Sequence, residues 1–298
     1  MMVKHLNTFK TPTIIIGAPR SGTNMLRDIL TKIPGFGTWP CDEINYIWRH
    51  GNMRYPSDVF PAELATPRVI NFIRGKFEKL AKKQKVEHII EKTCANSLRV
   101  DFVDRIFPNA KYIFIVRDGI DVVASAVKRW KAKLDLIYVL KKARYIPVLD
   151  IPFYASRYLY NRGFRLFSVD KKLSFWGPKL DNMKDILREN TLEEVCAMQW
   201  KESILRAENS FSCIDSNRVY TIRYEDFVRD PKDQLKKILC EFMCLDEAKY
   251  YSLNTFNNIS QSSIGKGYKD LNQEQINLLK LLLNETLNKF GYLNKGQD

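Results

Sequence analysis

Between a run of β-branched residues and a helix-forming stretch the chain reads Gly17-Ala18-Pro19-Arg20-Ser21-Gly22-Thr23-Asn24. A loop in that position turns successive backbone N–H groups and the positive end of a helix toward one point, which suits an anion. The glycine spacing equals that of the nucleotide-triphosphatase pattern G-x-x-x-x-G-K-[ST], but Thr23 stands at the lysine and Asn24 at the Mg²⁺-binding hydroxyl. A triphosphatase needs that lysine and metal against a heavily charged γ-phosphate. A transferring group of lower charge could be met by Arg20 and backbone donors alone, without a metal.

A second constellation follows at Val116-Arg117-Asp118-Gly119, where a guanidinium replaces the magnesium-binding carboxylate expected after such a strand. Arg117 is a good phosphate fork. Ser125 and Arg129, four residues apart, share one face of the next helix and can converge with Arg117 on a second phosphate.

These residues need a frame, and the pattern supplies one. Thr13 to Gly17, a β-branched run without polar alternation, and His88 to Lys92 read as buried strands, with Lys111 to Val116 and Val219 to Arg223 as further strands. Helices are expected after them at Thr23 to Ile33, Ser97 to Phe107, Gly119 to Trp130 and Pro231 to Met243, with a closing helix at Asn272 to Phe290 ended by Gly291. Strand-helix alternation predicts an α/β fold, a central parallel sheet flanked by helices. One domain over residues 1–298 is expected, with 131–190, rich in Tyr, Phe, Lys and Arg (Tyr154, Arg157, Tyr158, Tyr160, Arg162, Arg165), as an acceptor-binding insertion over the sheet.

Composition narrows the alternatives. Lys plus Arg number 48 against 34 Asp plus Glu, a net charge of +14 that favours anionic ligands without naming one. The cysteines Cys41, Cys94, Cys196, Cys213, Cys240 and Cys244 show no zinc-ligand spacing and are expected to be free thiols. With only His5, His50 and His88, a histidine-centred metal site or a Ser-His-Asp triad has few parts. The N-terminus lacks the apolar core of a signal peptide and no run reaches the roughly 20 apolar residues of a bilayer span. A cytoplasmic protein, with peripheral membrane contact through Leu134 to Arg165 as a lesser reading, is the expectation.

Gly17 to Asn24 resembles the 5′-phosphosulfate loop of the PAPS (3′-phosphoadenosine-5′-phosphosulfate)-dependent sulfotransferase superfamily, whose fold is P-loop NTPase-like, and Arg117 to Arg129 resembles its 3′-phosphate motif. The likeness extends to Glu91-Lys92-Thr93, Phe107 to Lys111, Arg223 to Phe227 with Asp230-Pro231, and the tail from Ser262 to Tyr292, and it is nearest to the bacterial and tyrosylprotein branches. It implies that Arg20, Ser21, Gly22, Thr23 and Asn24 grip the 5′-phosphosulfate and that Arg117, Ser125 and Arg129 hold the 3′-phosphate. Tyr224 matches a tyrosine near the nucleotide, and Ser262 or Ser263 with Lys266 falls in the late loop over the donor. PAP is the implied product, with no metal.

The acceptor hydroxyl must lose a proton, so a carboxylate base is expected. The resemblance places it at Cys41-Asp42-Glu43, with Glu43 favoured over Asp42, and assigns Lys92 together with Arg20 to the charge that grows on the departing oxygen. Trp39, Tyr46 and Trp48 near this base, with the 131–190 aromatics, suggest a glycan or glycolipid acceptor rather than nucleic acid. The competing readings are a P-loop kinase, which the missing lysine and hydroxyl disfavour, and a basic binding module without turnover.

Overall fold

The computed structural model describes residues 9, 11–132, 146–147, 150–152, 156, 175–246 and 259–293. Tyr154, Arg157, Tyr158, Tyr160, Arg162 and Arg165 lie outside the described residues, as does most of the expected insertion.

Five parallel strands, β1 (Thr13–Ile16), β2 (Phe36–Gly37), β3 (His88–Lys92), β4 (Lys111–Val116) and β5 (Val219–Arg223), form a sheet in the order β2-β3-β1-β4-β5. Ile15 of β1 pairs with Lys92 on one side and Ile113 on the other, and Val116 of β4 pairs with Arg223. Because all the strands run one way, their carboxyl ends share one edge. The segments singled out for chemistry, the late loop of Ser263 and Lys266 apart, lie at such ends: residues 17–24 after β1, Glu43 after β2, Lys92 closing β3, Arg117 after β4 and Tyr224 after β5. The chain leaves β1 for partners on both of its sides, and that divergence is where open α/β sheets bind ligands.

The helices are α1 (Thr23–Leu30), α2 (Asn45–Trp48), α3 (Pro67–Gln84), α4 (Val100–Ile106), α5 (Gly119–Lys131), α6 (Met183–Glu189), α7 (Leu192–Phe211), α8 (Tyr224–Arg229), α9 (Pro231–Lys236), α10 (Lys266–Asp270) and α11 (Gln273–Lys289). Strand alternation divides the apolar residues between two cores. Ile15, Ile90, Ile113, Ile115 and Ile222 pack with Leu26 and Leu30 of α1 and Phe227 of α8. Ile14, Ile16, Ile89, Tyr112 and Phe114 pack on the opposite face with α3, α4, α5, α7 and α11. Coverage of both faces is what the unbroken apolar strands require.

Three expected helices differ from what is observed, the one expected at Pro231 to Met243 being α-helical only to Lys236 and π-helical over Lys237–Phe242. The first ends at Leu30 rather than Ile33, where Thr31 Oγ1 donates back to the Arg27 carbonyl (2.9 Å) and Gly35 adopts φ 86°. The second is a 3₁₀ turn over Cys94–Leu98 and then α4, broken at Arg99 (φ −150°), whose side chain reaches Asn96, Asn45 and Asp58. Trp39 and Trp48 are not sugar-stacking surfaces: both are buried and meet the Phe77 ring edge-on, with centroids 4.5 and 5.6 Å away.

Candidate active site

The loop between β1 and α1 folds as its glycines demand. Gly22 has φ 86°, and a Cβ there would stand 2.4 Å from Tyr224 Cδ2; a Cβ on Gly17 would stand 2.6 Å from the Ile115 carbonyl. Arg20 itself is left-handed, φ 72°, a conformation that costs a non-glycine residue about 1 kcal/mol or more and recurs at functional loops. Gly22 caps α1 without a side-chain bond, and Ser21 Oγ and Asn24 Oδ1 are buried without partners. Unmet polar atoms beside a helix N-terminus fit an anionic ligand. Thr23 is buried, and its hydroxyl lies 3.8 Å from Cys94 Sγ.

Arg20 Nε donates to Ser125 Oγ (2.9 Å), and Arg117 donates to the Arg20 carbonyl (3.0 Å) and the Ser263 carbonyl (2.6 Å). The Arg117 guanidinium stacks 4.5 Å over the Tyr224 ring, whose hydroxyl meets Ser263 Oγ at 2.5 Å. Burial first, then the Arg129 and Arg117 guanidiniums, lower the pKa of Arg20. The residues expected at two phosphates thus form one continuous cationic cluster, bridged by Arg20. Of the late-loop serines, Ser263 reaches the cluster, while Ser262 is exposed and bonds to Ser260. Lys266 is exposed at the start of α10; its neighbours Gly265 and Gly267 donate backbone N–H groups to Asp121 Oδ2 (2.8 Å) and Oδ1 (2.6 Å).

Across β1 stands the second half of the site. Lys92 Nζ donates to Glu43 Oε1 at 2.9 Å, and the Cys94 N–H donates to the same oxygen at 3.4 Å. Glu43 is therefore not a helix cap: Ile44 caps α2 and makes no side-chain bond. Burial works to lower the Lys92 pKa, but nearby Cys94 and Glu43 outweigh it and the net shift is upward. Burial also pushes the Cys94 thiol up to about 12, so at neutral pH it carries no charge, and the acidic partner that Lys92 holds is Glu43. Asp42 is turned away, its carbonyl accepting from Arg27 at 3.0 Å and its carboxylate 3.8 Å from the same guanidinium.

Sequence reasoning gave no role to the groups that hold these parts. Glu91, fully buried beside Lys92 in β3, accepts from Thr93 Oγ1 (2.5 Å) and Asn96 Nδ2 (3.1 Å), and Thr93 Oγ1 in turn accepts the Ile44 N–H (3.2 Å). Burial raises the Glu91 carboxyl to about 7. Asp121 seats the late loop, and Glu225 accepts from the Asp118 N–H (3.1 Å) and the Tyr292 hydroxyl (2.8 Å). A charged residue inside a strand or on the buried face of a helix was the available signal, since such residues are rarely buried unpaired.

A phosphate-type loop after β1, arginines in place of a magnesium carboxylate after β4 and a carboxylate-lysine pair after β2 and β3 stand together on one edge of a P-loop-like sheet, an arrangement that suits an anionic ligand. Residues 12–138 match the model of the family described as Sulfotransferase family. No curated protein matches the sequence. Among solved structures, the sulfotransferase domain from the curacin biosynthetic pathway is 14% identical, with 93% of this chain and 98% of that one covered at a TM-score of 0.53. The sulfotransferase domain of the Synechococcus PCC 7002 olefin synthase is 18% identical, covering 97% of this chain and 98% of its own, with a TM-score of 0.50. Sulfotransferase STF1 of Mycobacterium tuberculosis H37Rv is 12% identical, covering 93% and 77%, with a TM-score of 0.53. At these identities the likeness carries the fold, which is the one expected from the sequence. The family model covers less than half of the chain, so the comparisons show a fold shared with sulfotransferases and a similarity to that family over residues 12–138. Among the described residues, no helix is long and apolar enough to cross a membrane.

Proposed function

We propose that this enzyme moves the sulfuryl group of PAPS to a hydroxyl of a carbohydrate acceptor, a polysaccharide, oligosaccharide or glycolipid, by in-line attack with Glu43 as base and without a metal. The observation that carries this reading is the adjacency, on one sheet edge, of the Arg20-Arg117-Arg129 cluster and the Glu43–Lys92 pair. The unmet Ser21 Oγ, the uncapped α1 N-terminus and the mutual cost of the guanidiniums all fit a doubly anionic nucleotide.

PAPS would supply an activated sulfuryl group and leave as PAP. Arg20, Ser21, Gly22, Thr23 and Asn24 would hold its 5′-phosphosulfate, Arg117, Ser125 and Arg129 its 3′-phosphate, and Tyr224, Ser263 and Lys266 the late-loop side. Glu43 takes the proton of the attacking hydroxyl as the new sulfur–oxygen bond forms and the bond to the 5′-phosphate oxygen breaks. Lys92 and Arg20 oppose the charge growing on that oxygen. The Lys92 hydrogen bond weakens Glu43 as a base, so transfer of Lys92 toward the departing oxygen would restore its basicity when the proton moves.

A carbohydrate acceptor is supported by the net charge of +14 and by the Tyr- and Arg-rich stretch at 131–190, which together suit anionic or hydroxyl-rich polymers. Peripheral contact with an anionic membrane through Leu134 to Arg165 would suit a glycolipid acceptor. The test is calorimetric titration with PAP and with ATP, followed by incubation with labelled PAPS and fractionated glycans, lipids and proteins. PAP should bind, glycan or glycolipid should take the label, and Glu43→Gln should keep PAP binding while losing roughly 10²–10⁴-fold in transfer. Tight ATP binding without PAP affinity would overturn the reading.

A further inference from the structure

We propose that Arg27 is a positioning residue that fixes the base by tying the loop before it to the helix that grips the donor. This rests on the reading of Glu43 as the base. Residues 38–44, between β2 and α2, contain no regular element, and ordering such a loop costs about 1–2 kcal/mol per residue in backbone entropy unless contacts repay it.

The contacts lie on both sides of Glu43. On the N-terminal side Arg27, with only 7% of its surface exposed, donates from Nη1 to the carbonyls of Asp42 (3.0 Å) and Cys41 (3.5 Å) and keeps Nη2 3.8 Å from Asp42 Oδ1. Its Nε and Nη2 also bind Asp28 Oδ1, at 2.9 and 2.7 Å, which sets the plane of the fork. On the C-terminal side the Ile44 N–H is held by Thr93 Oγ1, itself anchored on Glu91. Between these holds the Glu43 carboxylate meets Lys92 and the Cys94 N–H.

Arg27 sits one helical turn beyond Thr23 on α1, whose first turn forms the anion site, so one rigid helix positions both donor and base. A five-donor planar fork can span two carbonyls and a carboxylate, which a lysine ammonium cannot do in the same geometry. Displacement of a catalytic group by about 1 Å costs on the order of 10²-fold in rate, so loss of the fork should appear in turnover rather than in nucleotide affinity.

The experiment is a double-mutant cycle between Arg27→Met and Glu43→Gln, read by single-turnover transfer from labelled PAPS to the glycan fraction that the wild-type enzyme labels. PAP calorimetry and amide hydrogen exchange are run alongside. Arg27→Met is expected to lower the transfer rate roughly 10- to 100-fold, to leave PAP affinity within about threefold, and to speed exchange of the Ile44 and Cys94 N–H groups. In the Glu43→Gln background it should cost less than about threefold, because groups that act as a unit are not additive. Equal losses in both backgrounds, or unchanged exchange at Ile44 and Cys94, overturn the role of Arg27 while leaving Glu43 as base. Full transfer by Glu43→Gln alone overturns the base assignment and this inference with it. If Arg27→Met does not fold, Arg27→Lys, which keeps the charge and loses the fork, should show the same pattern with a smaller loss.

Discussion

Glu91 offers the sharpest quantitative test, because its neutral analogue fits the same space. Its carboxyl is fully buried, and burial raises it from 4.5 to about 7. At about 1.4 kcal/mol per pKa unit, ionising it inside the fold costs about 3 kcal/mol more than ionising it in the unfolded chain. The sign follows from proton counting: between the ordinary value and about 7 the native state holds more protons than the unfolded state, so stability falls as pH rises through this window. Below about pH 4 both states are protonated, and above about pH 8 both are ionised, so the contribution is flat at each end. Glu91→Gln removes the ionisation while retaining a side chain that can bond to Thr93 and Asn96. Urea denaturation of both proteins from pH 4 to pH 8 should show the stability difference, variant minus wild type, growing by about 3 kcal/mol toward high pH. Asp118, which burial raises to about 6, adds a slope of the same sign, but it is common to both proteins and cancels in the difference. Parallel stability curves would show that Glu91 does not titrate in this window and that its burial is compensated.

Three further outcomes bear on the donor site. Arg117→Ala should weaken PAP roughly 10- to 100-fold, the worth of charged hydrogen bonds, and weaken a nucleotide lacking the 3′-phosphate by less than about threefold; equal losses by calorimetry would show the phosphate assignment is wrong. Gly22→Ala should abolish PAP binding and lower the melting temperature, since its Cβ would fall 2.4 Å from Tyr224, whereas Gly35→Ala, at the same φ of 86° with nothing within 4 Å, meets only backbone strain. Equal melting shifts would contradict that steric account. Activity should be complete in EDTA, because Thr23, Asn24 and Arg117 occupy the places where a metal-using relative has lysine, hydroxyl and carboxylate; strict Mg²⁺ dependence would refute it.

What could be read from the chain was what local pattern encodes. The apolar runs at 13–16, 88–92, 111–116 and 219–223 gave four of the five strands, and a parallel sheet obliges their ends to meet, so Arg20, Lys92, Arg117 and Tyr224 could be placed on one edge without coordinates. β2, only Phe36–Gly37, has no periodicity to detect. The helix α3 does carry signals, a Thr66 cap, Pro67 at its start and Val69, Ile73, Phe77 and Ala81 at four-residue spacing, although no chemical motif lies on it. Arg27 next to Asp28 has the appearance of a surface pair, and only the fold brings it against Cys41 and Asp42. The aromatics went wrong for the complementary reason: Trp39 and Trp48 lie near Glu43 in sequence, but their rings are needed in the core around Phe77.

The position of Asp121 makes sense only when the electrostatics and the late loop are considered together. An acid next to a proposed phosphate site should weaken anion binding, yet Asp121 is almost fully buried on α5, 3.5 Å from the Arg117 guanidinium. Without an acid, Arg20, Arg117 and Arg129 would repel one another at a partly dehydrated site, and the lowered pKa of Arg20 registers that cost. Asp121 offsets part of it before any donor arrives. Its two oxygens also take the Gly265 and Gly267 N–H groups, so the charge that relieves the arginines anchors the loop bearing Ser263. Gly267 permits this approach because a Cβ there would meet the Ile120 carbonyl at 2.6 Å. Placed on the helix side, with its oxygens taken by peptide groups, the carboxylate can stabilise the cluster while Arg20 and the α1 N-terminus stay available as the groups proposed to meet the donor.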